Sequence, residues 1–494
     1  EEFVIQKIEE WSKDVEKSSQ AKLKLPLLKR DLESDLLVVN FDPDLVRLLR
    51  EVKYFLLLKL PVPESASQIY KKAEVFRTQT GNLDLIVNVY NSMLTSLLPV
   101  ERPLVAQYIT KINKTVQRGL KQMNWKSHGI DLFITEAMTD VKAADKILSN
   151  LKSNLGSIDD ILAGWQTPLL ERRPAKPLIP EDFSKLNKSK QTALFTKIKD
   201  GGKAIHKLLK ESNKILKVSQ GLPDWKAYVD FVNNIVVDGL AKVVIASLNF
   251  VIEQTDPEIL KRKDRVPMLE IELDLKASKV VFSPDTGSTE KKNGLRDIVD
   301  SWINNFYHIA LLFKRVDTNG GTYIKELQNN MSIQSQIANI NDILTVSNES
   351  CATFQNKYED YSYLFDVDLT KTFLKFLEEV GEEREPKYME YDLKRFDEEI
   401  ARYRDIQRDV GDLKSQVDIG WVRVNPQPIK QALGTWASKW SHMFTKFLVD
   451  DVCTKLQNLY DFIKSAGIGL DQEVQATNKE SLMDIMGHIR DVKK

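Results

Sequence analysis

The chain has 494 residues, of which 42% are hydrophobic and 29% charged, and its 71 Lys and Arg balance its 71 Asp and Glu. That length exceeds what one hydrophobic core organises, roughly 250–300 residues, so several cores are expected. Zero net charge argues against a general nucleic-acid-binding surface, which needs a basic excess.

In chain order, the first sharply bounded element lies within Val39–Ala66. Asp42 suits an N-cap, Pro43 a first helical position, and Pro61 and Pro63 a stop. Between them Leu45, Leu48, Leu49, Val52, Phe55 and Leu56 recur at helical spacing, with Arg47, Arg50, Glu51 and Lys53 on the other side. Ser65 is then expected to cap a helix ending near Gly81, and Asn82 to cap the next, which carries Leu83, Ile86, Val87, Tyr90, Leu94 and Leu97 before Pro99. A helix from Pro103 to about Leu120 follows. Ser127 opens a longer one bearing Ile130, Phe133, Ile134, Ala137, Val141, Ala144, Leu148 and Leu151. Such short connections favour antiparallel neighbours in a bundle.

Pro168, Pro174, Pro177 and Pro180 then read as a stiff linker. Helical pattern resumes from Lys185, and Pro223 begins a strongly apolar segment. Its Leu240–Phe250 stretch is too short for a membrane span and carries Lys242. In Met268–Phe282, Leu269, Ile271, Leu273 and Leu275 alternate with acidic residues and Val280-Val281-Phe282 returns. This period of two predicts a β-hairpin, which must lean on the helices. Helices resume around Leu295–Val316, turn at Asp317–Gly321 and continue to Glu399. From about Pro428 a stripe of Ile429, Leu433, Trp436, Trp440, Phe444, Phe447, Val452, Leu456, Leu459 and Ile463 predicts one helix reaching Ser465.

Candidate chemistry is sparse. Gly201-Gly202-Lys203-Ala204 lacks the first glycine and the Ser/Thr of a phosphate loop, and reads as a turn between helices. Gly467-Ile468-Gly469 reads as a helix-ending loop. His128, His206, His308, His442 and His488 do not pair at metal-ligand spacing, and His308 and His442 are expected to pack partly buried. Asp366-Val367-Asp368 lacks the rest of a calcium loop. Cys351 and Cys453, far apart, are expected to be buried thiols in a reducing compartment. The Asn113 and Asn187 sequons have no meaning there. Glu1-Glu2-Phe3 shows neither an initiator Met nor a signal pattern, as in an internal fragment. No catalytic, cofactor or metal residue is assigned.

Two charge blocks stand out. Glu171–Lys217 holds thirteen Lys or Arg against five Asp or Glu, a local charge of +8, and Glu359–Glu399 holds fourteen acidic against six basic residues, −8. Solvated helix faces explain both; electrostatic docking, between the blocks or to partner subunits, is the sharper alternative. Arg172, Arg173, Lys185, Lys188 and Lys190 are the candidate partner-binding residues. Trp436 and Trp440 fit core packing or an interface anchor.

Several ordered segments carry a resemblance. They are Val39–Ala66, Gln79–Asn91, Leu98–Leu104, Met123–Ser127, Trp165 with Pro168–Arg172, Gly420–Val424 and Lys430–Trp440. Together they resemble the tail, or stem, of dynein heavy chains, in particular outer-arm-like axonemal members. The expected fold is mainly α, an elongated stack of consecutive helical bundles with one small β-hairpin insertion. Its divisions are expected at 1–167 (N-terminal bundles), 168–180 (Pro-rich linker), 181–266 (bundle), 267–283 (hairpin), 284–416 (bundle) and 417–494 (long-helix bundle leading toward the linker and motor).

The resemblance implies a non-enzymatic scaffold in the axoneme of a cilium or flagellum, cytoplasmic before assembly. Its implied partners are dynein intermediate chains, light chains, other dynein heavy chains and docking factors on doublet microtubules, with neither nucleic acid nor membrane. ATP and Mg would belong to an AAA+ motor region outside this sequence, in a minus-end-directed motor. A helical vesicle-tethering rod, marked by a lipid-directed basic patch, is the alternative. A hidden enzyme is a third reading, open to an ATP hydrolysis assay.

Overall fold

In the computed structural model, residues 2–170, 174–316, 320–384 and 388–474 are described, with isolated residues beyond. The helices are α1 (Glu2–Lys22), α2 (Pro43–Leu57), α3 (Glu64–Lys71), α4 (Ala73–Ser96), α5 (Arg102–Lys121), α6 (Ile130–Ala163), α7 (Pro180–Leu216) and α8 (Pro223–Thr255). They continue with α9 (Pro257–Arg262), α10 (Leu295–His308), α11 (Ile324–Gln328), α12 (Met331–Glu359), α13 (Leu369–Val380), α14 (Leu393–Asp412) and α15 (Gln427–Val474). Strands are β1 (Leu28–Arg30), β2 (Leu37–Val39), β3 (Leu269–Lys276), β4 (Lys279–Ser283), β5 (Gly381–Arg384), β6 (Tyr388–Tyr391), β7 (Val417–Ile419) and β8 (Val422–Asn425). The chain is mainly α. It forms two compact units: residues 1–169, 191–247 and 306–334 make the first, and 170–190, 248–305 and 335–494 the second.

In the first unit the amphipathic stretch behaves as its caps dictate. The Asp42 carboxylate accepts the Asp44 N–H at 2.8 Å, Pro43 occupies the first turn, and Leu45, Leu48 and Val52 are buried. The stop comes before the prolines, at Leu58, with Lys59 in the left-handed region at φ 57°. The expected apolar face is narrower than its sequence. Leu56, Leu57 and Leu58 are exposed together with Tyr54. The predicted break at Gly81 and Asn82 is absent, because α4 runs through both. A glycine inside a helix costs about 1 kcal/mol. Burial of Phe76 before it and Leu83, Ile86 and Val87 after it outweighs that cost. α6 packs on α4 and α5, and all eight of its expected core residues are buried.

α8 accounts for the apolar segment. Among the described residues it is the one helix long and apolar enough to cross a membrane by length and composition. Packing explains its hydrophobicity equally well, since Val232, Val236, Leu240, Val243, Val244 and Leu248 are buried inside the protein. Gly201 and Gly202 also depart from expectation. They form no turn but lie inside α7. A Cβ on Gly201 would fall 2.8 Å from the Trp165 ring, and one on Gly202 2.4 Å from the Phe313 ring. These glycines therefore let α7 approach a tilted aromatic pair whose centroids are 5.8 Å apart.

The second unit contains the hairpin, but not alone. β3 and β4 pair antiparallel, and β3 also pairs parallel with β8, giving a four-stranded sheet of order β4-β3-β8-β7. The period-two pattern located β3. The segment from Val417 to Asn425 is too short to announce itself as two strands. Gly420, at φ 56°, makes the two-residue turn between β7 and β8. A further hairpin, β5–β6, interrupts the helical run expected to Glu399. α15 packs on β3 and α14, and it passes through Gly467 without the expected loop.

Two histidine expectations are corrected: His308 and His442 are exposed, His308 lying 5.5 Å from the Phe195 ring. Of the two thiols only Cys351 is buried, and burial pushes its pKa up to about 11; Cys453 is exposed on α15. Native protein is therefore expected to react quickly with a thiol reagent once per chain, and twice after denaturation. Mass spectrometry of the labelled peptides, with Cys453 modified first, checks this.

Asp297, at the start of α10, organises the preceding loop. Its carboxylate accepts the Thr289 N–H at 2.9 Å, the Ser288 hydroxyl at 2.7 Å and the Gly294 N–H at 3.1 Å, and these bonds hold its pKa below the ordinary value. A carboxylate depressed in the folded state stabilises above its unfolded pKa, and that contribution is lost as pH falls through the folded value. Asp297→Asn should therefore show a smaller drop in melting temperature between neutral pH and about pH 3 than the parent chain.

Candidate docking surface on α7

α7 separates two chemistries by helical spacing. Phe183 and Asn187 in the second unit, and Leu194, Ile198, Ile205, Leu209 and Leu216 in the first, are buried. Lysines occupy the outward positions. Lys185, Lys188 and Lys190 are exposed in the second unit, and Lys185 pairs with Asp182 at 3.1 Å. Lys185 and Lys188, three apart, share a face, whereas Lys190 falls well around the helix. Arg172 and Arg173 lie outside the described residues. Of the five candidate residues, the structure thus brings two to one face.

A longer array lies further along, in the first unit. Lys199, Lys203, Lys207, Lys210 and Lys214 follow at steps of four, four, three and four, which places them within one narrow sector of the helix. All five are exposed. Lys203 pairs with Asp200 at 3.0 Å, while Lys199, Lys207, Lys210 and Lys214 have no ion pair among the described residues. The composition of the block signalled its charge. Only the helical register, unbroken through Gly201-Gly202, aligns it.

Beside this stripe opens a cavity of about 560 Å³. α7 contributes His206, Leu209, Lys210 and Asn213; α8 contributes Trp225, Lys226, Val229 and Asp230; and Arg315 and Val316 close it. The His206 Nε2 lies 2.9 Å from the Lys314 carbonyl, and Arg315 pairs with Glu326 while its guanidinium sits 5.6 Å from the Tyr323 ring centroid. Lys210 and Lys226 bring positive charge to a mouth whose walls are partly apolar. The lining residues include no Ser, Thr or Cys.

A second surface was hidden by its own periodicity. On α15, the stripe that buries Ile429, Leu433, Trp440 and Phe444 continues past half-buried Phe447 as Val452, Leu456, Leu459 and Ile463, yet these four are exposed, and no residue from 452 to 465 is buried. Trp440 is core, its Nε1 donating to the Leu364 carbonyl at 2.8 Å, whereas Trp436 is half-buried beneath the Lys439 ammonium, 4.4 Å from its ring centroid.

The segments that carry the family resemblance are framework. The Trp125 indole donates to the Asn40 carbonyl at 2.9 Å and meets Phe41 edge-on, joining two of them. Asn91, in another, uses its amide to satisfy both the N–H and the carbonyl of Leu37, at 3.0 and 2.8 Å. Gly420–Val424 makes the β7–β8 turn and nearly all of β8, and Lys430–Trp440 lies within α15, which packs on that sheet.

Comparison with known proteins identifies similar chains. The family described as dynein heavy chain, N-terminal region 1, matches residues 1–133. The chain is 36% identical over 97% of its length to the dynein beta chain of the flagellar outer arm of Chlamydomonas reinhardtii. It is 32% identical over 98% of its length to the ciliary dynein beta chain of Heliocidaris crassispina, and 28% identical over its whole length to dynein axonemal heavy chain 9 of Homo sapiens. It spans about a tenth of the length of these relatives, 11% in each case. Similarity along nearly the entire chain places the protein in one family: it belongs to the axonemal dynein heavy chains and corresponds to their N-terminal tail region.

Proposed function

We propose that this chain is a structural scaffold in the tail of a ciliary or flagellar dynein heavy chain, holding intermediate and light chains and contacting other heavy chains. The observation that carries this reading is similarity to axonemal heavy chains along 97% of the chain. The names of those relatives, flagellar outer arm, ciliary and axonemal, put the work in the axoneme. Anchoring on doublet microtubules is part of the same proposal. ATP-driven, minus-end-directed movement would belong to the full-length protein, with ATP and Mg bound in its motor region.

The fold supports this role through exposed, helix-borne surfaces. α7 offers a basic face and α15 an apolar one, both set on elements fixed by buried partners. The vesicle-tether alternative gains nothing from the relatives named above, which are dyneins. Immunogold or epitope labelling of demembranated axonemes tests the proposal. The label should persist on the doublets after detergent and leave with the dynein arms in high salt. Loss with the membrane fraction would favour the tether.

A further inference from the structure

We propose that the lysine stripe of α7 and the cavity beside it form a docking site for an acidic, extended peptide segment that inserts one apolar side chain. The inference deepens the scaffold reading by giving one partner contact its chemistry.

Three observations converge. Lys199, Lys207, Lys210 and Lys214 are exposed and unpaired among the described residues, so their charge is available rather than spent on intrachain carboxylates. They lie in line: fifteen helical steps at about 1.5 Å give a track of about 22 Å, which about seven extended residues would span. Lys210 belongs both to this track and to the cavity wall, so the track leads into the cavity.

The cavity chooses among anions. Leu209, Trp225 and Val229 give it apolar walls, and all three are buried side chains held by the core. At about 560 Å³ it admits one large apolar or aromatic side chain. Asp230 on its wall opposes close approach of a phosphate-rich polymer, whereas a peptide can set an uncharged anchor there and carboxylates along the track. A nucleic acid or a membrane would be drawn by charge alone and would leave the cavity unused.

The test uses the purified 494-residue chain and a fluorescein-labelled acidic peptide of about a dozen residues with a central Leu-Trp pair, read by fluorescence anisotropy. The parent chain is expected to bind it, more weakly as salt rises. Lys207→Glu with Lys210→Glu and Lys214→Glu should weaken binding at least about tenfold. These side chains are solvent-exposed, so the variant should keep the parent's circular dichroism and melting curve. Lys→Gln replacements at the same positions should give an intermediate loss. Replacing the Leu-Trp pair by Ser-Ser should weaken binding to the parent and add no loss in the charge-reversed chain.

Unchanged affinity in the charge-reversed chain, or equal affinity for the Ser-Ser peptide, overturns the proposal. So does tighter binding to anionic vesicles or to single-stranded DNA of the same charge. Because the assay needs no axoneme, its failure leaves the scaffold reading intact, and failure of axonemal labelling would not explain away peptide binding.

Discussion

Lys152→Met should destabilise the first unit by about 3 kcal/mol, one of the largest single-residue effects expected in this chain. Glu101, just before α5, is fully buried, and its Oε2 takes the Lys152 ammonium at 2.5 Å and the Leu98 N–H at 2.8 Å. Its Oε1 has no partner among the described residues. Removing the lysine leaves a buried carboxylate with one backbone donor, and the desolvation cost of that charge is no longer offset. Burial, and then the Glu101 charge, already holds the Tyr228 phenol above its ordinary pKa, so the carboxylate acts well inside the fold. Pairing Lys152→Met with Glu101→Gln should recover most of the loss, since the stranded charge goes with it. Urea unfolding of the three variants checks this. If the double variant were no more stable than Lys152→Met, the buried ion pair would not be the cause.

Trp440→Ala should cost the second unit about 3–5 kcal/mol, whereas Leu456→Ser on the same helix should change stability by less than about 0.5 kcal/mol. Trp440 stacks on Tyr403 at 5.4 Å, abuts Phe444, and donates its indole N–H to Leu364. Its loss leaves a cavity and an unsatisfied carbonyl. Leu456 is 60% exposed and gives up little burial. Thermal melts of the two single variants separate these cases. Equal destabilisation would mean that the outer part of α15 is packed after all.

That contrast marks where sequence reading ran out. Period and caps located α2, α5, α6, the β3–β4 hairpin and the long terminal helix, because each is decided by residues close in sequence. What depends on distant partners was not legible. The apolar stripe of α15 has one period throughout, and only the neighbours it meets divide buried Phe444 from exposed Leu456. Gly201 and Gly202 look like a turn until Trp165 and Phe313 are seen to need the space a Cβ would take. β8 pairs with a strand about 150 residues earlier, a relation that no local pattern encodes. The basic block was visible in composition, but its alignment into a track beside a cavity required α7 to run unbroken.

The family segments gain a physical meaning from the same comparison. Glu101, Trp125, Asn91 and Trp165 are ion-pair, hydrogen-bond and packing centres that hold helices in register.

Cross-linking mass spectrometry of dynein arms released from axonemes by high salt tests the scaffold reading most directly. Links are expected from lysines of this chain, including those of α7, to an intermediate chain and to a second heavy chain. Recovery of this chain without links to any dynein subunit, or its appearance in a membrane-bound fraction instead, would contradict that reading.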